Sequence, residues 1–341
     1  MSRLLITGGA GYLGSVLSST FLKNGYEVTI FDNLIFGKEH LKDIITQPNC
    51  KLVVGDIRKK RNFYKLLRGI DTIIHLAGIA DEPTCNLNPE LSVKINYYAT
   101  LELAKLCKEM SIKRFIFASS CSVYGNSGED ICTEESPIKL LSIYAKTKAD
   151  SEKALMAMKD NSFAPICLRL ATLFGLSYRM RFDLVINSML KSAVKEKKIF
   201  ISGGKQWRPF LHVQDAANFF LLCLDVPTNI VRGEIFNVGS NNLNYRISDL
   251  ATLIKRYLPE TKLIYVLRNK DQKSYKICSD KIEKSLGYKA RLSIEYGIKE
   301  IVNTIETGAL GDLANTKYYN VKIFKQIFKN NLSRRKKYEL V

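Results

Sequence analysis

The chain opens with Arg3-Leu4-Leu5-Ile6-Thr7-Gly8-Gly9-Ala10-Gly11-Tyr12-Leu13-Gly14. A short apolar run ends in glycines spaced Gly8-x-x-Gly11-x-x-Gly14, and a helical pattern, Tyr12–Lys23, follows at once. Each glycine has a separate task. Gly8 permits a tight turn, Gly11 lets the backbone approach a pyrophosphate, and Gly14 lets the helix pack closely on the sheet. The unpaired N–H groups of the helix N-terminus then face the phosphates, with Tyr12 and Leu13 in the first turn. The spacing alone is a weak signal. Its place between a strand and a helix, at the start of a βαβ unit, makes it a dinucleotide-binding reading.

Working outward, a second strand, Glu27–Phe31, runs into Asp32, about 20 residues past the loop. A carboxylate there can accept from both ribose hydroxyls and repels a 2′-phosphate, which points to NAD. Further strands, Lys51–Val54, Thr72–Leu76, Arg114–Ala118 and Ile166–Arg169, alternate with helical stretches Asn62–Arg68, Pro89–Lys108 and Tyr144–Met158. That alternation predicts an α/β fold, a Rossmann doubly wound parallel sheet covered on both faces. After about Gly175 the rhythm loosens. Longer helical stretches (Asp183–Glu196, Val213–Asp225, Ile247–Tyr257, Ile294–Glu306) mix with short strands, Ile199–Ser202 and Ile235–Val238. The predicted division is a nucleotide-binding domain over 1–175, with segments near 208–240 returning to it. A smaller α/β substrate-binding domain spans 176–308, and an extension spans 309–341.

Composition bounds the function. Of 341 residues, 46% are hydrophobic and 25% charged, which excludes a disordered chain, a collagen-like fibre and a small disulfide scaffold. Lys and Arg number 52 against 33 acids, a net +19. Such charge admits nucleic acid, an anionic membrane surface, or acidic ligands. No platform of interleaved aromatic and basic residues supports nucleic acid, and no apolar run nears the roughly 20 residues of a membrane span. The eight cysteines are scattered without a C-x-x-C pair, and the histidines are His40, His75 and His212, so no metal site is predicted. The N-terminus runs straight into a strand without a targeting pattern. The expectation is a reduced, cytoplasmic protein.

Tyr144-Ala145-Lys146-Thr147-Lys148 sets Tyr144 and Lys148 at i and i+4, on one helix face. A cation beside a phenol, with an oxidised nicotinamide nearby, favours the phenolate and makes Tyr144 a base near neutrality. The preceding strand Phe115-Ile116-Phe117-Ala118 leads into Ser119-Ser120-Cys121-Ser122-Val123-Tyr124-Gly125. A hydroxyl at the carboxyl end of that strand lies where doubly wound sheets bind ligands.

With these residues in view, the chain resembles the extended short-chain dehydrogenases/reductases of the NAD-dependent nucleotide-sugar epimerase/dehydratase type, over about residues 2–305. Further matching segments are Gly55-Asp56-Ile57, His75-Leu76-Ala77-Gly78, Asn96 and Arg208-Pro209-Phe210-Leu211-His212-Val213-Gln214-Asp215. Phe236-Asn237-Val238-Gly239, Asp280-Lys281-Ile282, Leu286-Gly287-Tyr288 and Tyr296-Gly297 follow in order. The resemblance implies roles at matching positions. Asn33 joins Asp32 at the ribose, Asp56 and Ile57 hold the adenine, Ala77 and Gly78 line the nicotinamide, and Asn96 belongs to the cofactor set. Ser120 bonds the sugar hydroxyl being oxidised, Tyr144 exchanges its proton, and Lys148 holds the nicotinamide ribose and biases Tyr144. Arg208 meets the substrate diphosphate, and Arg268 falls where a second phosphate-binding arginine is found. Homodimerisation through the helices Pro89–Lys108 and Tyr144–Met158 is also implied.

The implied chemistry is oxidation of the sugar C4 hydroxyl to a 4-keto sugar, with the hydride passing to NAD. A 4-epimerase returns the hydride to the other face; a 4-dehydrogenase or 4-reductase does not. A 4,6-dehydratase needs an acid and a base after the serine, and here those positions are Cys121 and Ser122. Two departures stand out. Thr172 replaces an asparagine that commonly touches substrate. Tyr178-Arg179-Met180-Arg181-Phe182-Asp183 resembles a heptose or deoxysugar branch, in which Arg179 and Arg181 would touch the substrate diphosphate or a sugar substituent, unless they cap the following helix. The loop Asp81-Glu82-Pro83-Thr84-Cys85 should also face the sugar. A non-catalytic NAD-binding regulator on the same fold is the competing class, and the intact Ser120, Tyr144 and Lys148 count against it.

The extension from Ala309 to Val341 carries eight Lys/Arg against two acids. Tyr318, Val321, Phe324, Ile327 and Phe328 recur at helical spacing between lysines. A basic amphipathic helix can lie on an anionic membrane, meet a partner, or pack on its own body or across a dimer. Packing is the preferred reading, with Arg334-Arg335-Lys336-Lys337 a solvated, disordered end.

Overall fold

The computed structural model describes residues 2–60, 63–266 and 272–338, with side chains to 330. Fourteen strands occur among them: β1 (Arg3–Thr7), β2 (Glu27–Asp32), β3 (Cys50–Val54), β4 (Thr72–His75), β5 (Arg114–Ser120), β6 (Asn126–Cys132), β7 (Ala164–Leu170), β8 (Thr172–Phe174), β9 (Lys198–Ser202), β10 (Trp207–His212), β11 (Glu234–Val238), β12 (Asn244–Arg246), β13 (Lys262–Val266) and β14 (Ser274–Ile277). The main helices are α1 (Tyr12–Lys23), α2 (Ala99–Glu109), α3 (Ile143–Ala157), α4 (Val185–Glu196), α5 (Val213–Asp225), α6 (Ile247–Tyr257), α7 (Ile294–Glu306) and α8 (Asn320–Tyr338).

Seven strands form one sheet in the order β3-β2-β1-β4-β5-β7-β11, every neighbour pair parallel. Strand side chains alternate between faces. Accordingly Leu4 and Ile6 enter one apolar core, and Leu5 enters the other on the opposite face. Phe115 and Phe117 share the Leu5 side, whereas Ile116 lies with Ile6. Both faces are therefore buried, which is why these strands read as unbroken apolar runs. The chain winds one way from β1 through β2 to β3, then crosses to β4. The reversal between β1 and β4 opens a crevice at the carboxyl ends of the strands.

The remaining strands form small sheets: β12-β10-β8, β13-β9 and β14-β6. Short and half-exposed, they carry little periodicity, and β6, β8, β10, β12, β13 and β14 escape the sequence pattern. The helix expected over Pro89–Lys108 is broken. Helical Pro89–Val93 passes into a π-helical turn, Lys94–Tyr98, before α2 begins. The described part of the stretch expected over Asn62–Arg68 is a single turn, Phe63–Leu66.

The extension also departs from expectation. Tyr318 lies in a separate 3-10 turn, Thr316–Tyr318, and the helix proper starts at Asn320. The backbone of α8 is helical through Tyr338, so Arg334–Lys337 is not the irregular end expected. Phe324 is buried in a cluster with Ile79 and Cys85, against Ile35, Phe36 and Phe328. This face packs on its own chain. Among the described residues no helix is long and apolar enough to cross a membrane.

Candidate active site

The carboxyl ends of β1, β2, β4 and β5 border a cavity of about 500 Å³. Gly8, Gly11, Tyr12, Leu13, Gly14, Asp32, Asn33, Asp56, Ile57, Ala77 and Gly78 line one part of it. Ser120, Ser122, Tyr144, Lys148, Thr172, Arg179, Arg181 and Arg208 line the rest. Arg268 lies outside the described residues.

The glycine loop is tight. Gly8 has φ +74°, and a Cβ there would stand 2.7 Å from the Ala77 amide nitrogen. A Cβ on Gly14 would stand 2.2 Å from the Gly8 carbonyl oxygen. Only glycine lets α1 sit this close to the turn. Gly11 caps α1, and no side chain satisfies its first turn, which leaves the helix end ready for an anion. His40, missed in the sequence because nothing local marks it, braces the loop from outside, Nε2 lying 2.8 Å from the Ala10 carbonyl oxygen.

Asp32 ends β2 with one oxygen accepting from the Ala10 amide at 3.0 Å and the other from the Leu34 amide at 2.8 Å. Burial raises its carboxyl above the usual range, and these backbone donors pull it back. The Asp56 carboxylate is gripped by Arg58 at 2.5–3.1 Å, and that hydrogen-bonded guanidinium keeps it ionised below its usual range. Asn96 does not line the cavity. It is 2% exposed, inside the π turn, where Oδ1 accepts from the Ile79 amide at 2.7 Å and Nδ2 donates to the Ile79 carbonyl at 3.1 Å and to Thr147 Oγ1 at 3.3 Å. It braces the loop after Gly78 against α3 from behind.

The reactive cluster is built from β5 and α3. Ser120 ends β5, and its Oγ accepts from the Ser122 amide at 3.2 Å. Ser142 caps α3, accepting from the Ala145 amide at 3.1 Å, and so starts the helix two residues before Tyr144. One turn on, Lys148 Nζ donates to the Ala118 carbonyl at 2.6 Å and sits 5.8 Å from the Tyr144 ring centre. Burial pushes the Tyr144 phenol up, opposed by a hydrogen bond with Ser120, and pushes the Lys148 ammonium down to about 8. Burial thus works against the phenolate, and the sequence reading relies on an oxidised nicotinamide as well as Lys148 to favour it. Behind it, Arg169 and Glu152 form a buried pair at 2.8 Å that ties α3 to β7, with Ser119 donating to Glu152 from β5.

Cys121 is fully buried and directs its Sγ at the Arg169 carbonyl oxygen, 3.0 Å away. Ser122 does line the cavity, its buried Oγ without a hydrogen-bond partner. Arg181 is held between Asp81 (3.1 Å) and Asp183 (2.8 Å). Arg208 donates to the carbonyls of Trp207 (2.6 Å) and Lys273 (2.5 Å), and Lys273 in turn bonds Glu82 at 2.6 Å.

Arg179 packs on an aromatic side chain of the same cleft, its Cζ 3.8 Å from the centre of the Phe36 ring. Two residues earlier, Ser177 Oγ donates to the Tyr12 carbonyl at 2.6 Å, which pins this segment along the start of α1. Arg179 thus lines the cleft from the side of Phe36 and the start of α1. Asn320 and Phe324 of α8 also line the cavity. No local signal marks them, because they lie past the segments that carry the resemblance.

A glycine-cradled helix end, a ribose carboxylate and a Ser/Tyr/Lys cluster thus meet in one crevice. Residues 4–239 match the NAD dependent epimerase/dehydratase family. The chain belongs to this family. It is 27% identical over 309 residues to a putative UDP-glucose 4-epimerase of Methanocaldococcus jannaschii, spanning 88% of this chain and 97% of that one. It is 28% identical over 317 residues to UDP-glucuronic acid decarboxylase 1 of Danio rerio, spanning 88% and 72%. Among solved structures, a UDP-glucuronic acid 4-epimerase from Bacillus cereus, in complex with UDP-glucuronic acid and NAD, superposes with TM-score 0.80 at 25% identity over 89% of this chain and 99% of that one. A dTDP-glucose 4,6-dehydratase from Bacillus anthracis with NAD shares the fold, with TM-score 0.81 at 24% identity over 94% and 100%. This epimerase/dehydratase-family enzyme therefore uses NAD. The glycine loop, where a Cβ on Gly8 or Gly14 would meet backbone, and the Asp32 carboxylate border the same cavity and fit such a cofactor.

Proposed function

We propose that the protein is a nucleotide-sugar 4-epimerase acting through a transient 4-keto sugar. The observation that carries this reading is the convergence of Ser120, Tyr144 and Lys148 on one wall of the cleft, with no acid–base pair following Ser120. Tyr144 takes the C4 hydroxyl proton while Ser120 orients that hydroxyl and Lys148 supplies positive charge beside the phenol. The glycine loop and Asp32 would hold NAD, which when bound would supply the hydride acceptor for C4 and, while oxidised, positive charge near Tyr144. The 4-keto sugar then turns over, regains the hydride on its opposite face, and regains the proton from Tyr144. Cys121, sealed in the core, is unsuited to proton transfer at C5 or C6, which counts against a dehydratase. A net 4-dehydrogenase or 4-reductase, of heptose or deoxysugar type, needs the same cluster and is the second reading. A nucleotide diphosphate suits Arg208, with its planar fork of donors.

The sugar end favours an uncharged sugar. Arg181, whose charge reaches the Tyr144 phenol, already serves the carboxylates of Asp81 and Asp183, and Lys273 serves that of Glu82. A uronate carboxylate there would have to compete with these carboxylates for cations that are already paired. The test is incubation with UDP-, GDP-, CDP- and dTDP-sugars, following NADH absorbance and C4 stereochemistry. Inversion without net NADH is expected, with UDP-glucose turned over at least about tenfold faster than UDP-glucuronic acid. Stoichiometric NADH would replace the epimerase with a dehydrogenase. Tyr144→Phe should lower the rate by about 10²–10⁴-fold while leaving NAD binding intact. A Tyr144→Phe protein indistinguishable from wild type on every sugar would support the non-catalytic regulator instead.

A further inference from the structure

The first residue of α8 is a junction. Asn320 is 4% exposed, and three of its atoms reach three different residues. Nδ2 donates to Asp81 Oδ2 at 2.8 Å, Oδ1 accepts from Arg179 Nη2 at 2.7 Å, and the backbone amide donates to Asp183 Oδ2 at 2.8 Å. Arg179 also donates to the Lys317 carbonyl at 3.3 Å. One turn along α8, Phe324 packs edge-on to Phe36, ring centres 6.4 Å apart, and lines the cavity. The extension therefore holds Arg179 from one side while Phe36 supports it from another.

Arg179 is an unusual cation. It is 4% exposed, and of the carboxylates that act on it Asp183 and Asp81 are bonded to Arg181, while Asp32 accepts from the Ala10 and Leu34 amides. Its Nε is buried without a hydrogen-bond partner. Burial lowers its pKa to about 9, with Arg181 adding to the effect. A guanidinium taken out of water needs an anion close by. The cleft it lines is the one into which the uncapped first turn of α1 points. A diphosphate at that helix end would lie between Arg179 and the glycine loop.

We infer that residues 317–324 form a strap over the cofactor half of the cleft, in which Asn320 is a positioning residue that holds Arg179 toward the NAD diphosphate. The strap gives the C-terminal extension a part in cofactor retention that its basic composition does not suggest. The inference needs bound NAD but no particular sugar chemistry. It also suits the epimerase reading, since an enzyme that returns every hydride has no use for rapid cofactor exchange.

The test measures exchange of bound NAD for labelled NAD in the purified holoenzyme, with no sugar present. Asn320→Ala should exchange about tenfold faster than wild type, the loss expected for one hydrogen bond to a charged group. Arg179→Met should exchange faster still. The double variant should match Arg179→Met, because Asn320 acts through Arg179. Lys325→Ala, exposed on the far side of α8, should match wild type. If Asn320→Ala does not fold by circular dichroism, Asn320→Ser keeps a polar helix start and reads the same quantity. Exchange within twofold of wild type in Arg179→Met, or additive effects in the double variant, would overturn the inference. Because no sugar is used, failure of the epimerase assay would leave this result standing, and the converse holds.

Discussion

Lys148 holds its charge where burial opposes it. Its ammonium pKa falls from 10.5 to about 8 on folding, because the side chain is desolvated beside Phe117. Below pH 8 folded and unfolded chains are both protonated at this site, and the fold bears the full cost of the buried cation. Between pH 8 and 10.5 the unfolded chain binds the proton while the folded one releases it, so this group's contribution to stability rises with pH. Lys148→Met removes the cation. The variant should therefore resist urea better than wild type at pH 7, and the gap should narrow from pH 8 to 10.5, while turnover is lost. Denaturation curves at pH 7, 9 and 10.5 decide it; a gap that widens with pH would contradict the assigned shift. Much at this scale is legible in the sequence. Tyr144 and Lys148 declare themselves by i, i+4 spacing, and Asp32 by its distance from the glycines. The run that carries Arg179 is visible too, but its placement is not, because Phe36 and Asn320, which set it, share no local pattern with it.

Among elements, α1 illustrates how little room the loop leaves. A methyl on Gly14 would collide with the Gly8 carbonyl at 2.2 Å and with Gly9 Cα at 2.7 Å, both backbone atoms that cannot swing aside. Gly14→Ala should push α1 off β1, cost about 1–3 kcal/mol of stability, and weaken NAD binding. Thermal melts and calorimetric titration with NAD measure both; wild-type affinity in Gly14→Ala would show that the loop has slack. The alternation of strand and helix exposes this unit from sequence, since each strand is a continuous apolar run. The π turn at Lys94–Tyr98 stays hidden, because one extra residue per turn shifts the helix face without breaking its apolar content. Yet that turn holds Asn96, which joins the Gly78 loop to α3. Likewise β14 pairs with β6 across more than a hundred residues; β6 is polar and mostly exposed, and β14, though it alternates, is only four residues long.

For the molecule as a whole, the net charge of +19 separates into parts. Some arginines belong to the cleft, and the basic extension is fastened to its own body by Phe324 and Asn320. The helices around α2 and α3 remain the surface on which a second copy would dock. Tyr98 is 56% exposed there, beside a groove of about 350 Å³ lined by Phe63, Leu103 and Leu106. Light scattering should give twice the chain mass, and Tyr98→Arg should shift the population toward single chains. A monomer at micromolar concentration in wild type would remove the dimer. The strap bears on the order of synthesis as well. Asp81 waits for Asn320 across 239 residues. A growing polypeptide folds its N-terminal portion first, so the glycine loop and its sheet take shape while the apolar patch at Phe36, Ile79 and Cys85 still lacks its cover. Until α8 leaves the ribosome, that patch faces the surrounding solution and is open to unwanted apolar contacts.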